Sequence, residues 1–169
     1  RNRALAAAWS SDWCSSDRRV GLIDTEQKPS RVWRERDPIG HPQFRPDDDD
    51  LIFYAGPLTD RVWLTDRSGE KNRRRYQREN KMQWVTHEVW VPGRRTVAFV
   101  DWPRGMKMID VDRGVVRQLI YSPAWHAAPD DAGERFVGDT NFPDRGLPHF
   151  EVDGDPADAA DFPCASAAQ

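Results

Sequence analysis

A repeat that begins at His41 and His87 constrains the fold of this chain more than any other feature. Each histidine is followed five residues later by a proline, Pro46 or Pro92, and an apolar run begins five residues after that proline. A looser third copy begins at His126. His41 and His87 are 46 residues apart, and His126 follows after a further 39. Repeats of roughly 40–50 residues with about four strands each are typical of β-propeller blades.

Short runs rich in β-branched and aromatic residues lie between turn signals within the repeats, and such runs predict strands. They are 51–54 (LIFY), 61–64 (RVWL), 97–100 (VAFV), 106–111 (MKMIDV) and 115–120 (VVRQLI). The period of an amphipathic helix is missing from these segments. The predicted fold class is therefore all-β: a β-propeller fragment of about three blades, each of about four antiparallel strands, with each repeat's histidine just before an inner strand.

The two ends of the chain differ from its middle. Residues 1–19 lack the apolar stretch of a signal peptide and resemble translated adapter sequence, so we predict a non-native or disordered segment there. Residues 153–169 are rich in Asp, Ala and Pro without periodicity, which predicts a disordered tail. Residues 20–152 are predicted to form the partial propeller. Cys14 and Cys164 form neither a disulfide framework nor a zinc pattern.

The charge balance restricts the class of partner. The formal net charge is −3, from 25 basic and 28 acidic residues, which excludes a strongly basic nucleic-acid-binding protein. One basic run, 71–78 (KNRRRYQR), is either an exposed outer strand or a contact for a polyanion. No run of about 18 apolar residues predicts a membrane span. We therefore expect a small-molecule partner, with no nucleic acid and no membrane; the oligomeric state is left open.

Three of the four histidines, His41, His87 and His126, occupy the same place in successive repeats. In a propeller that place faces the central channel. A turn residue that caps a strand is one interpretation, although Ser, Asp or Asn would be favoured for that role. Histidine is also the usual general base near neutral pH and the commonest metal ligand. Three histidines in register therefore indicate a candidate functional site.

Four motifs occur in an order and at spacings that resemble the oligogalacturonate lyases, which are seven-bladed β-propellers that act late in pectin breakdown. The motifs are 39–46 (IGHPQFRP), 61–64 (RVWL), 86–90 (THEVW), and His126 with 137–139 (VGD). The resemblance covers about residues 20–152. It implies a metal-dependent lyase that cleaves short α-1,4-linked galacturonates by β-elimination, mostly in the cytoplasm on imported oligomers.

The resemblance also implies roles for individual residues. His87 matches the catalytic base that removes the C5 proton, and Arg61 matches the arginine that stabilises the substrate carboxylate and the developing charge. A guanidinium suits this role because it stays charged and forks onto a carboxylate. His126 matches the first of the ligands for manganese, Mn²⁺. His41 lies in a motif that implies a channel-facing, substrate-binding position.

The chain departs from the family pattern at the metal site. The other metal ligands of the family, a Gln and two His, belong to a later blade, and nothing here matches them; His149 lacks a histidine two residues away. We therefore expect the remaining Mn²⁺ ligands outside this chain and expect this chain alone to be inactive. The alternative is a non-catalytic TolB-like propeller module that binds protein or carbohydrate.

Overall fold

The computed structural model describes residues 4–8, 18–23, 29–35, 39–140, 146–157 and 160–162, with side chains for 39–140 and 146–157. Every regular element in these ranges is a strand, and all the strand pairs are antiparallel. The chain divides into two compact units, residues 1–77 and 78–169. Within the described residues, no helix has the length and apolar character needed to cross a membrane.

The first unit contains two sheets, each with its strands in chain order. The first sheet has three strands: β1 (Ala4–Ala8), β2 (Arg18–Ile23) and β3 (Pro29–Glu35). The second sheet has four strands: β4 (Gly40–Arg45), β5 (Asp48–Ala55), β6 (Val62–Asp66) and β7 (Arg73–Arg74). The basic run 71–78 thus includes the exposed outer strand β7, as the first of its two interpretations predicts.

The second unit contains two four-stranded sheets with the same order of strands. One sheet comprises β8 (Trp84–Trp90), β9 (Thr96–Trp102), β10 (Gly105–Asp110) and β11 (Val116–Ile120). The other comprises β12 (Ala124–Pro129), β13 (Arg135–Thr140), β14 (Leu147–Glu151) and β15 (Ala160–Phe162). Each repeat found in the sequence therefore forms one four-stranded sheet, and the predicted all-β class is confirmed.

The structure has strands in both end segments, where the sequence predicts none. The strands β1 and β2 lie at least partly within 1–19, and β15 lies within 153–169. The boundaries drawn at residues 19 and 153 nevertheless stay predictions. Cys14 and Cys164 lie outside the described residues.

An apolar core joins the two sheets of the second unit. Val100 and Met106 from one sheet belong to the same buried cluster as Phe136 and Phe150 from the other. The rings of Phe136 and Phe150 are stacked, with centroids 5.5 Å apart and planes 5° from parallel. This packing determines how β8 and β12, the two first strands that carry His87 and His126, lie beside each other.

An ion-pair cluster also joins these two sheets. The Asp153 carboxylate, just after β14, accepts hydrogen bonds from Arg94 at 2.6 and 3.0 Å and from Arg117 at 2.9 Å. The hydrogen bonds from Arg94, with the positive charges of Arg94 and Arg117, hold the pKa of Asp153 below its usual value although partial burial opposes them. The ionised form of the Asp153 carboxylate therefore stabilises the folded chain.

The substitution Asp153→Asn is expected to lower the free energy of unfolding by about 0.2–1 kcal/mol near neutral pH, the range of exposed ion pairs. Because the folded pKa lies below the unfolded value of about 3.9, this stabilisation is present above the unfolded pKa and is lost as the pH falls through the folded pKa. Urea titrations of wild type and variant should therefore converge in acid.

The matched control for this prediction is Asp155→Asn, because the Asp155 carboxylate accepts from the nearby backbone N–H of Ala157. Asp155→Asn should not show the loss in free energy of unfolding that follows from removing the partner of Arg94 and Arg117. A stability gap between wild type and Asp153→Asn that persisted unchanged in strong acid would contradict the assignment.

Candidate functional site

The histidine of each repeat lies at an irregularity in the first strand of its sheet. Strand pairing shifts register between Gly40 and Gln43 in β4, between Thr86 and Val89 in β8, and between Ala124 and Ala127 in β12. His41, His87 and His126 fall inside these three intervals. The sequence places each histidine just before a strand, and that placement is wrong: the histidines lie within first strands, at β-bulges. A bulge interrupts the alternation by which a strand is identified in sequence.

Two of these histidines share an unusual backbone conformation. The φ angle is 51° at both His41 and His87. Residues other than glycine seldom adopt this left-handed region, and His is among the types that tolerate it best. Such residues cost about 1–3 kcal/mol each and cluster at functional sites. The repeat in sequence is therefore also a repeat of backbone geometry.

The second unit brings His87 and His126 together. Their ring centroids are 4.3 Å apart, with an angle of 64° between the rings. The Trp125 ring lies 5.2 Å from the His87 ring, and the Trp84 ring lies 5.9 Å from that of Trp125. His87 is half-buried and His126 is exposed. Two imidazoles from neighbouring sheets thus share one location, bordered by indole rings.

The carboxylate of Asp139, on β13, contacts His126 through both of its oxygens. Oδ1 accepts a hydrogen bond from the His126 backbone N–H at 2.7 Å, and Oδ2 lies 2.8 Å from the His126 ring Nδ1. Partial burial alone would raise the pKa of Asp139. The hydrogen bonds from His126, with the positive charge that His126 and His87 carry when protonated, instead hold this pKa below its usual value.

The residue before Asp139 must be small for this contact to form. A Cβ atom on Gly138 would lie 2.8 Å from the His126 carbonyl oxygen. Any side chain at this position would therefore push β13 away from the bulge in β12. The VGD motif at 137–139 has a physical reason: the glycine permits the close approach of two strands, and the aspartate binds the histidine.

Arg61 and His41 belong to the first unit, and both lie at one end of the strands of the β4–β7 sheet. Arg61 ends the β5–β6 loop, whose ends are joined by a 2.8 Å hydrogen bond from the Gly56 N–H to the Arg61 carbonyl. The half-buried guanidinium donates to the Gly56 carbonyl at 3.4 Å. His41 lies at the same end of the strands, because Gly40 pairs with Ala55 beside this loop. Its side chain is exposed.

The His87–His126 pair of the second unit is bordered by three residues that the sequence did not assign to it: Asp139, Trp84 and Trp125. For Asp139 a signal existed, since the residue ends the VGD motif. Its role depends on the pairing of β12 with β13, where the register shifts between Ala124 and Ala127. That shift is not readable from residue spacing. The two tryptophans carry no motif that distinguishes them from the aromatic residues of a core.

The described residues supply an incomplete metal site. Across 39–140 and 146–157, no three or more His, Cys, Asp or Glu side chains are grouped so as to hold a metal ion. His126 by itself is suited to be one ligand, because it is exposed and its Nδ1 is held by a carboxylate, which is the usual arrangement of metal-bound histidine. The donor set therefore fits one ligand position of a metal site.

A cavity of about 280 Å³ is lined mainly by residues of the β8–β11 sheet and its turns. It is lined by Arg94, Thr96, Arg117 and Asp153, among others, and it includes the ion-pair cluster that joins the two sheets. None of the histidines lines this cavity. The histidine pair and the cavity are therefore separate features of the second unit.

No protein-family model matches the chain. Two curated proteins are similar to most of it. An oligogalacturonide lyase of Pectobacterium atrosepticum is 31% identical over 132 residues, which are 72% of this chain and 33% of that protein. An oligogalacturonate lyase of Dickeya dadantii is 33% identical over 119 residues, 64% of this chain and 30% of that protein. The chain spans about a third of the length of the curated relatives that it matches.

Solved structures agree in fold. An oligogalacturonate lyase in complex with manganese has a TM-score of 0.70 and 27% identity, over 80% of this chain and 40% of that one. The β-propeller domain of Cps50 (Swd1) from Myceliophteria thermophila, at 16% identity, has a TM-score of 0.65 over 95% of this chain and 54% of that one. The predicted all-β propeller fragment is confirmed, and the chain is related to the oligogalacturonate lyase family.

Proposed function

We propose that this chain contributes part of the active site of an oligogalacturonate lyase, which cleaves short α-1,4-linked galacturonates by β-elimination. The observation that carries the proposal is the pairing of His87 and His126, whose rings lie 4.3 Å apart. Elimination from a uronate needs a base at C5 and positive charge at the neighbouring carboxylate. Two imidazoles at one location can supply a base and a metal ligand side by side.

In this proposal His87 is the general base. Its imidazole takes the C5 proton, and the electrons of the C5–H bond move into a C4–C5 double bond as the C4–O4 bond breaks. The departing oxygen takes up a proton and becomes a hydroxyl of the released sugar, so the products are one unsaturated uronate and one shortened oligomer. The half-buried position of His87 beside Trp125 limits access of water to the base.

The second requirement is to stabilise the uronate carboxylate as it becomes enolate-like. We assign this role to Arg61, whose guanidinium stays charged and can fork onto a carboxylate. Its loop is closed by the Gly56–Arg61 hydrogen bond, which limits the conformations open to the side chain. His41, exposed on the first strand of the same sheet, is assigned to substrate binding.

His126 is the one residue of this chain that we assign to a metal, and we propose Mn²⁺ as that metal. A bound divalent cation would supply charge that acidifies the C5 proton and offsets the developing enolate. Its other ligands would come from outside this chain. Because one imidazole with water ligands binds a divalent ion weakly, the chain alone is expected to retain little Mn²⁺.

The proposal is tested with digalacturonate and Mn²⁺, by following the absorbance of the unsaturated uronate product. A longer protein that contains this chain should turn the substrate over, whereas the 169-residue chain alone should not. Robust turnover by the chain alone would refute the incomplete site. Binding without turnover by the longer protein would favour the alternative, a non-catalytic TolB-like module that binds protein or carbohydrate. A cytoplasmic location is part of the proposal, and cell fractionation tests it.

A further inference from the structure

The contact between Asp139 and His126 has two separate parts. The backbone N–H of His126 lies in the bulge of β12, where strand pairing is interrupted, and Asp139 Oδ1 accepts its hydrogen bond at 2.7 Å. The second carboxylate oxygen lies 2.8 Å from the ring Nδ1. The first contact satisfies a backbone group, and the second acts on the imidazole itself.

An ionised carboxylate can only accept hydrogen bonds. The nitrogen that faces it must therefore carry a proton, so Nδ1 of His126 is the protonated nitrogen. In a neutral imidazole the other nitrogen, Nε2, then has a free lone pair. A lone pair on the nitrogen that points away from the carboxylate is what a metal ion requires.

We propose that Asp139 is a positioning residue that holds His126 in the Nδ1–H tautomer, so that Nε2 is the nitrogen available to a divalent cation. The inference rests on the proposed function only for the identity of the cation as Mn²⁺. The tautomer itself follows from the geometry of β12 and β13.

A merely structural role for Asp139 would require only the hydrogen bond to the backbone. The substitution Asp139→Asn separates the two roles. The amide oxygen of Asn can still accept from the His126 N–H, while its NH₂ group would face Nδ1 and donate to it. The neutral ring should then move its proton to Nε2 and lose the lone pair there, although the bulge keeps its backbone hydrogen bond.

The first measurement uses the full chain and long-range proton–nitrogen NMR correlations of His126 at a pH where the ring is neutral. Wild type should have the Nδ1–H tautomer, and Asp139→Asn should have mainly Nε2–H. The matched control is Asp130→Asn on the same sheet, because Asp130 Oδ1 accepts from the backbone of Glu134 and Arg135 in the β12–β13 turn. That control should leave the His126 tautomer unchanged.

The second measurement uses the longer protein and Mn²⁺ alone, with free Mn²⁺ followed by electron paramagnetic resonance. Asp139→Asn should weaken Mn²⁺ affinity by about 10–100-fold, the usual effect of removing the carboxylate partner of a ligating histidine. An unchanged tautomer in Asp139→Asn overturns the proposal, and so does a changed tautomer with unchanged Mn²⁺ affinity. Failure of the proposed function gives a different result, namely no turnover of digalacturonate by the wild-type longer protein while the tautomer shift persists.

Discussion

Replacing His87 with alanine in the longer protein is expected to lower kcat for digalacturonate by about 10²–10⁴-fold, the usual worth of a general base. Substrate binding should survive, because the groups assigned to the carboxylate remain in place. The ring of His87 lies beside Trp125 and His126 and is not part of the apolar core that joins the sheets. Steady-state kinetics should therefore give a large fall in kcat with a small change in KM.

The control for this variant is available in the same chain. His41 has the same φ angle of 51° and lies at the equivalent bulge, so His41→Ala imposes the same backbone demand on alanine. As an assigned substrate-binding residue, His41 should affect mainly KM. If His41→Ala abolished turnover while His87→Ala did not, the assignment of His87 as the base would be wrong.

The substitution Phe136→Ala is expected to lower the free energy of unfolding by about 3–5 kcal/mol, the range for removing a large aromatic side chain from a core. Phe136 is 1% exposed and stacks on Phe150, which is 4% exposed. Both belong to the cluster that packs one sheet of the second unit on the other, so the cavity would form where the sheets meet. Urea titration of the full chain, followed by circular dichroism, measures the loss.

The neighbouring residue provides the control for this prediction. Val137 is on the same strand but is 52% exposed, so Val137→Ala removes little buried surface. Its effect should stay within about 0.5 kcal/mol, as for surface substitutions in general. Equal effects of the two substitutions would mean that Phe136 does not carry the packing between the sheets.

The strands of this chain were predictable because their apolar runs are local signals. The runs at 51–54, 97–100 and 106–111 fall almost wholly within β5, β9 and β10. The periodic spacing of His41, His87 and His126 predicted three sheets of similar construction, and the structure has them. Patterns of this kind depend on the alternation of residues and on the number of residues between turns. Both can be read directly from the sequence.

The histidine environment was predictable only in part. The three residues were identified by register, yet the first strands that contain them were missed, because each bulge breaks the alternation over the two residues that it encloses. The bond from Asp139 to His126 joins residues 13 apart, and it depends on a register shift and on Gly138 having no side chain. Contacts of this kind arise from strand pairing, which residue types alone do not determine.

The bulge that recurs in β4 and β8 fixes the position from which a side chain projects, whereas the residue type at that position fixes its chemistry. Positions 41 and 87 have the same φ angle within matching interruptions of strand pairing. A substitution at either position by another residue that tolerates the left-handed region, such as Asn or Asp, would therefore replace the presented group without rebuilding the sheet around it. In evolutionary terms, duplication of one such repeat supplies a second bulge with the same backbone geometry, at which a reactive side chain can arise later. For protein engineering, the bulge at position 41 provides a defined backbone geometry at which a new functional side chain can be introduced.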